Sequence, residues 1–291
     1  MSAAETAMTS STPGIITPSI PSPHVGDKPR RQRQPNHCSV GRPAWRALLP
    51  PEHGAWGFLA SAAGCALISA PSWPGVLLAL ALGISLCARH GLRRVVIGRD
   101  REALVVTVLT GGICLLLVAA CIRWASPWWW LPLSLAAPFA AGQFIQEWIR
   151  RGRRQGGSGM ASVAGIAALS AGGAAIALAG GAGAWTALQI TGMVCAYGTC
   201  SVVHIRRRFG RCTGRSSLLV HGGWMATAII ALAAGASWAV PAGATLLAGR
   251  ALATEGGVRP SPARAGTQEL LVGLAIAVMV GAGLRVGALA V

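Results

Sequence analysis

A glutamate and a histidine stand side by side at the entrance to the first apolar stretch, in residues 50–56 (PPEHGAW). A carboxylate next to an imidazole can act as an acid–base pair, or both groups can bind a ligand. The same residues also suit the start of a helix, because a negative charge is favourable at a helix N-terminus and Gly54 lets another backbone come close. The pattern therefore predicts either a functional site at Glu52, His53, Gly54 and Trp56 or a helix entrance anchored by a tryptophan.

Further ionisable side chains recur where apolar stretches meet arginine-rich loops. Each is costly at a membrane boundary unless it is paired or solvated, so ion pairing with nearby arginines and contact with a substrate are both predicted roles. His204 stands beside a run of arginines at 206–208, a combination that suits the phosphate of a lipid or of a substrate. The resulting candidates for ligand binding are His90, Glu147, His204, Arg206, His221 and Glu269.

The histidines do not follow a known metal-binding pattern, since the sequence has no HExxH motif or similar ligand spacing. It also has no phosphate-binding loop of the type GxxxxGK[ST] and no apparent Ser/His/Asp set. No acidic residue is expected at the middle of an apolar stretch, which argues against a proton pump with a buried carboxylate relay. Metal ligands are therefore not predicted, and the catalytic residues and cofactors stay open.

Apolar helices are the elements that must position these side chains. Apolar residues make up 53% of the chain and charged residues 11%, whereas a soluble domain has roughly 25% charged residues. We therefore expect an all-α fold, a polytopic transmembrane helix bundle of about nine spans. Spans 1–4 and 5–8 are a candidate pair of four-helix repeats, followed by one more helix. The predicted spans are 54–70, 73–89, 103–122, 128–148, 160–180, 184–205, 217–235, 237–253 and 268–288.

The basic residues alternate between loops and so predict an orientation. Of the 25 basic residues, all but Arg123 and Arg285 fall on one side of the predicted spans. Short loops rich in Lys and Arg stay in the cytoplasm, which predicts an inner (plasma) membrane protein with a cytoplasmic N-terminus and an outside C-terminus. The net charge of +17 is split between such loops, so the expected partners are anionic lipid headgroups and not nucleic acid.

The acidic residues and the histidines lie on the same predicted side as the arginines. All eight acidic residues and all six histidines fall there, although acidic residues have little influence on orientation. A binding site is therefore expected to open toward the cytoplasm. Residues 1–46, which are rich in Ser, Thr, Pro and Arg, are predicted to form a disordered basic cytoplasmic arm ahead of a transmembrane helical domain at 47–291.

The entrance motif resembles that of the YwiC-like family of bacterial multi-pass membrane proteins, in which Pro-x-Glu-His-Gly-Ala-Trp leads into the first helix. The resemblance continues at 203–208 (VHIRRR), 249–251 (GRA) and 266–269 (GTQE), and covers about 48–290. It implies a polytopic inner-membrane protein and singles out Glu52, His53, Gly54 and Trp56, without an activity to carry over. Pro51 stands where a basic residue is common in the family, which puts a charge contact there in doubt.

The layout is also similar to that of the UbiA-type prenyltransferases, which implies two four-helix halves and a polar cavity on the cytoplasmic side. Those enzymes hold magnesium diphosphate with Asp-rich motifs near the inner ends of the second and sixth helices. This chain has His and Arg at those places, with Asp100 and Glu102 as the carboxylates of the first inner loop. Magnesium–diphosphate chemistry needs several converging carboxylates, so this departure puts that catalysis in doubt.

Three functions follow as hypotheses from these observations. The leading one is binding or transport of a small anionic or amphipathic molecule, isoprenoids among them, at a cytoplasm-facing vestibule. The alternatives are a UbiA-like transferase acting on a lipid-linked substrate and a non-catalytic membrane subunit of a complex. Flux into proteoliposomes, magnesium-dependent prenyl transfer and stable co-purification with one partner would discriminate among the three.

Overall fold

The computed structural model describes residues 53–98, 102–149, 159–253 and 261–289, with the backbone alone for 53, 54, 97, 98, 102, 147 and 159–161. The regular elements in these residues are nine α-helices, which confirms the all-α expectation. The predicted N-terminal arm lies outside the described residues. In chain order the helices are α1 His53–Ser69, α2 Trp73–Gly98, α3 Glu102–Trp124, α4 Trp130–Ile149, α5 Gly159–Ala179, α6 Ala184–Arg208, α7 Gly214–Ala233, α8 Ala239–Ala253 and α9 Pro262–Leu289.

The helix bounds follow the predicted apolar stretches, but several helices extend further at their polar ends. The largest difference is at α2, which ends at Gly98 and not at the predicted residue 89, and α9 begins at Pro262 and not at the predicted residue 268. Hydropathy detects the apolar part of a helix, whereas here Ser261 Oγ accepts a hydrogen bond from Arg264 N at 3.3 Å and a proline suits the first turn. Glu269 therefore lies about two turns inside α9 and not at its start, where the predicted span 268–288 places it.

The outside of the bundle is apolar. In the described part of the chain, six helices are long and apolar enough to cross a membrane: α2, α3, α5, α6, α7 and α9. Ala55–Ser69 and Ala239–Ala253 are shorter apolar helices. α3 presents Val108 and Leu116 with 64% and 72% of their surface exposed. Contiguous apolar surface of this extent is unfavourable in water and suits hydrocarbon. The chain is therefore a multi-pass membrane protein.

α1 and α9 pack closely and run in the same direction. A Cβ on Gly64 would lie 2.8 Å from the Cβ of Ala277, and a Cβ on Gly281 would lie 2.8 Å from the Cβ of Ile68. Going from the first pair to the second, the contact moves four residues forward on both helices, from 64 to 68 and from 277 to 281. The two helices are therefore parallel and keep one register. Helices in a bilayer gain little from the hydrophobic effect, and small residues supply packing by close approach.

Neighbouring helices in the sequence pack antiparallel, as α8 and α9 show. Ala239 at the start of α8 lies against Gly283 near the end of α9, while Arg250 near the end of α8 reaches Glu269 near the start of α9. The bundle consequently has two distinct ends. We call the end at which α1 and α9 begin the basic end, and the opposite end the tryptophan end. Exposed tryptophans at the tryptophan end are Trp73, Trp124, Trp128, Trp130, Trp185 and Trp238.

Candidate functional site

Arg250 of α8 and Glu269 of α9 form a buried ion pair toward the basic end. The Nη1 of Arg250 lies 2.8 Å from Oε1 and 2.7 Å from Oε2 of Glu269, so one nitrogen donates to both carboxylate oxygens. The two side chains are 12% and 6% exposed. A buried charge is costly unless it is paired, and each of these groups compensates the other. Among the described side chains, Glu269 is the one carboxylate.

Two hydroxyl groups of α6 surround this pair. The Tyr197 hydroxyl donates to the backbone carbonyl oxygen of Glu269 at 2.5 Å, and the Nη2 of Arg250 donates to Ser201 Oγ at 3.5 Å. The buried Tyr197 ring also meets Phe58 of α1 edge to face, with centroids 5.1 Å apart and an angle of 70° between the planes. Polar and aromatic contacts therefore join α1, α6, α8 and α9 at one level of the bundle.

His204 lies about one turn beyond Ser201 on α6, closer to the basic end, and it is buried. A small cleft between α6 and α9 opens beside its ring. Across the mouth of this cleft, Arg208 Nη1 donates to Gln268 Oε1 at 3.4 Å. The imidazole thus lies between a buried ion pair and arginines at the basic end. Its electrostatic neighbours are Arg207, Arg208, His221 and Arg250.

His221 of α7 presents a buried ring nitrogen that lacks a partner. The residue is 7% exposed, and its Nδ1 lies 2.8 Å from the carbonyl oxygen of Ser217. A carbonyl oxygen can accept but not donate, so Nδ1 carries the proton and Nε2 bears a lone pair in the neutral ring. Nε2 has no hydrogen-bond partner in the described residues. A buried polar atom in this state costs about 1–3 kcal/mol, which a bound ligand or water would recover.

The fold thus brings together three of the sequence candidates from three helices. His204 of α6, His221 of α7 and Glu269 of α9 converge toward the basic end, where the sequence analysis places the vestibule. Arginine, tyrosine and serine side chains join them there. We call the group the basic-end cluster, and its members are Tyr197, Ser201, His204, His221, Arg250 and Glu269.

The remaining candidates stand apart from the cluster or outside the described side chains. Arg206 is half-buried on α6, but it leaves the helix about 200° around the axis from His204. His90 is half-buried on α2, whose main packing partners are α3 and α5. The structure does not describe Glu52, or the side-chain surroundings of His53, Gly54 and Glu147, and a role for them stays a prediction.

The entrance motif leads to the cluster through α1. This helix begins at His53, and Trp56 is half-buried in its first turn. The next residues make contact: a Cβ on Gly57 would lie 3.6 Å from the Tyr197 hydroxyl, and Phe58 packs on the Tyr197 ring. The motif therefore positions a helix that supports the cluster from one side.

Arg250, Tyr197 and Ser201 are site residues that the sequence patterns do not single out. Arg250 is one of many arginines whose placement in loops predicts the orientation. Tyr197 carries a usable signal, because it is the single tyrosine of the chain and lies inside an apolar span, and a buried tyrosine hydroxyl usually has a partner. Ser201 carries no such signal, since serines in membrane helices commonly bond to their own backbone.

The donor set at the basic end does not fit magnesium. At the basic end, the described parts of α2 and α6 present His90, Arg93, His204 and Arg208, whereas magnesium takes oxygen ligands such as carboxylates. In the described part of the chain, no group of three or more His, Cys, Asp and Glu side chains is placed to hold a metal ion. We therefore derive no step through a metal–diphosphate complex.

Comparison with known proteins supports the family resemblance over the first part of the chain. Residues 49–177 match the model of the family described as YwiC-like protein. This range includes the entrance motif and runs from α1 through most of α5. The later motifs, and with them the basic-end cluster, lie beyond the matched range. A search of the curated proteins and a search of the solved structures found no match to the chain.

Proposed function

We propose that the basic-end cluster binds an oxyanion. The protein that carries this cluster is a multi-pass membrane protein, and its residues 49–177 match the YwiC-like family. The oxyanion is either a free small anion or the headgroup of an amphiphile. The observation that carries the proposal is the buried, unpartnered Nε2 of His221. A second buried imidazole, His204, lies within electrostatic range of it.

The charges around the two imidazoles favour an anion. Arg250 is compensated by Glu269, and Arg207 and Arg208 add positive charge on the basic side of His204. Within the described side chains, cationic groups therefore outnumber carboxylates at this site. In the low-dielectric surroundings of a membrane bundle, such a concentration of positive charge attracts an anion more strongly than it would at a protein surface.

The tautomer of His221 defines the contact. Nδ1–H donates a hydrogen bond to the carbonyl oxygen of Ser217, and Nε2 can then accept a hydrogen bond from a protonated oxyanion such as hydrogen phosphate. The proton of the ligand becomes shared between Nε2 and one oxyanion oxygen. The remaining oxygens face the arginines, where charge-assisted hydrogen bonds are about twice as strong as neutral ones.

The proposed orientation places this site at the cytoplasmic face of the inner (plasma) membrane. It follows from the arginine-rich loops, which stay on the cytoplasmic side. Anionic lipid headgroups would lie at the same level as Arg207 and Arg208 and would be the first anions to meet the site. The N-terminus would then be cytoplasmic and the C-terminus outside.

Binding of defined anions to purified protein tests the proposal. Inorganic phosphate and pyrophosphate are titrated against the wild type, and the thermal midpoint is recorded, because a ligand that binds the folded state raises it by mass action. We expect a saturable rise in the wild type. His221→Phe and His204→Phe should weaken the apparent affinity about tenfold, since each removes one polar contact to a charged group.

Arg285→Gln is the matched control. Arg285 is exposed on α9 near the tryptophan end, so its replacement removes one positive charge without touching the cluster, whereas the histidine variants replace neutral rings and leave the net charge as it is. It should leave the titration unchanged. Equal weakening in the control and in the histidine variants would mean that the anions bind by general electrostatic attraction, and the proposed site would be wrong.

A UbiA-like transferase is the second candidate. His204 and the small cleft between α6 and α9 lie at the end of α6, and these positions favour a transferase over a purely structural subunit. Such an enzyme would bind the same kind of anion but would also consume it. Incubation with an isoprenoid diphosphate, magnesium and a lipid-linked acceptor therefore separates the two, because release of pyrophosphate together with a prenylated acceptor would indicate transfer. Uptake of the bound anion into proteoliposomes would instead indicate transport.

A further inference from the structure

The helices that carry the two histidines also enclose an apolar cleft nearer the tryptophan end. The cleft has a volume of about 250 Å³ and lies between α6, α7 and α8. Its walls include Trp185, Gln189 and Gly192 of α6, Trp224 and Ala231 of α7, and Ala244 of α8. Since α6 and α7 are both long and apolar enough to cross the membrane, the cleft lies at the depth of the hydrocarbon core.

The polar groups that line this cleft are already engaged with the protein. Gln189 Oε1 accepts from Ser237 N at 2.8 Å, and Trp224 Nε1 donates to Thr199 Oγ1 at 2.6 Å. The Thr227 hydroxyl donates to the carbonyl oxygen of Gly223. The cleft therefore offers an almost entirely apolar surface, and its natural occupant is a hydrocarbon chain.

The residues of α7 that line the cleft share one face of this helix with His221. Ala231, Ala228 and Trp224 line the cleft at helical spacing, and His221 follows one turn beyond Trp224 on the same face. The distance along the axis between the last two is about 4.5 Å. His221 therefore leaves α7 about one turn from Trp224, the α7 residue of the cleft nearest the basic end, and the cleft has a suitable size for part of a hydrocarbon chain.

We propose that the ligand is a single-chain anionic amphiphile, with its oxyanion at His221 and His204 and its hydrocarbon chain in the cleft between α6, α7 and α8. This inference rests on the proposed anion site and adds the class of ligand. Leu188 and Thr227 at the edge of the cleft are exposed on the membrane-facing side of α6 and α7. The chain consequently enters sideways from the bilayer while the headgroup stays at the basic end.

Filling the cleft tests the proposal without changing a polar group. A Cβ on Gly192 meets no other atom within 4 Å, so Gly192→Leu places a side chain into the cleft without a clash with the backbone. Methyl phosphate and octyl phosphate, below its micelle concentration, are the probes. We expect Gly192→Leu to weaken the binding of octyl phosphate about tenfold, which corresponds to about two displaced methylene groups. The affinity for methyl phosphate should stay unchanged.

Two further variants keep the outcome clear. Gly112→Leu on the exposed face of α3 is the matched control, because Gly112 also has open space around its Cα, and it should bind both probes as the wild type does. Ala231→Leu fills the same cleft from α7 and replaces Gly192→Leu if that variant does not fold. Unchanged octyl phosphate binding in a folded cleft-filled variant would overturn the proposal. Failure of methyl phosphate to bind the wild type would instead show that the anion site itself is wrong.

Discussion

Arg250 and Glu269 meet across α8 and α9 with one guanidinium nitrogen 2.7 and 2.8 Å from the two carboxylate oxygens. The backbone carbonyl oxygen of the same glutamate accepts a hydrogen bond from the Tyr197 hydroxyl of α6. One residue of α9 is thus held by its side chain to α8 and by its backbone to α6. This arrangement fixes α6, which carries His204, relative to α8 and α9, and it makes the pair a structural part of the proposed anion site.

Removing one member of the pair should destabilise the protein strongly. Arg250→Met leaves the Glu269 carboxylate buried without its partner, and we expect a loss of about 3–5 kcal/mol in the free energy of unfolding. The double variant Arg250→Met with Glu269→Leu removes both charges and should be more stable than Arg250→Met alone. Thermal unfolding in detergent measures both. A double variant that is less stable than each single variant would contradict the account of a mutually compensating pair.

The Tyr197 hydroxyl should contribute less to the free energy of unfolding than the ion pair does. Tyr197→Phe removes its hydrogen bond to Glu269 but keeps the ring on Phe58, so we expect a loss of about 0.5–1.5 kcal/mol. Gly273→Ala should cost more, because the added Cβ would lie 2.8 Å from that hydroxyl oxygen. Combining the two substitutions should recover part of the loss. Strictly additive effects on the thermal midpoint would show that Gly273 and Tyr197 do not interact.

Part of the fold was predictable because the signals are local. Apolar length and alternating arginines located nine helices, and the bounds of α1, α3, α5 and α8 agree with the prediction to within a few residues. The start of α9 was missed, because Ser261 and Pro262 specify a helix start in residues that are not apolar. The orientation of the bundle and the candidate repeat stay predictions.

The site was predictable in its location but not in its composition. His204, His221 and Glu269 stood out, since an ionisable group next to an apolar span is costly. Their mutual arrangement depends on how α6, α7, α8 and α9 pack, which no local pattern contains. In the sequence Arg250 is one of many arginines, because its carboxylate partner lies across the interface between two helices.

The parallel contact between α1 and α9 should be sensitive to small additions. Gly281→Ala would bring a Cβ to 2.8 Å from the Ile68 Cβ and 3.0 Å from the Cys65 carbonyl oxygen, so the helices must separate. We expect a loss of about 1–3 kcal/mol. Gly287→Ala in the same helix meets nothing within 4 Å and should be neutral or stabilising by up to about 1 kcal/mol. Equal thermal midpoints for the two variants would argue against the close contact.

The orientation of the bundle in the membrane can be measured with reporter fusions at the basic end and at the tryptophan end. The proposed topology places the C-terminus outside and the loop between α6 and α7, with its arginines, inside. A phosphatase that is active only outside the cytoplasm should be active when fused after Leu289 and inactive when fused after Arg211. The opposite pattern would invert the topology and place the basic-end cluster at the outer face.

The most direct test of the anion site observes the unpartnered nitrogen of His221 itself. Histidine ring nitrogens are labelled with nitrogen-15, and the Nε2 resonance of His221 is assigned from its loss in His221→Phe. In the free protein this nitrogen should have the shift of an unprotonated lone-pair nitrogen, because Nδ1 carries the proton. Hydrogen phosphate should move it toward the protonated position as the shared hydrogen bond forms. An Nε2 resonance that does not move at phosphate concentrations that saturate the thermal shift would contradict the proposed site.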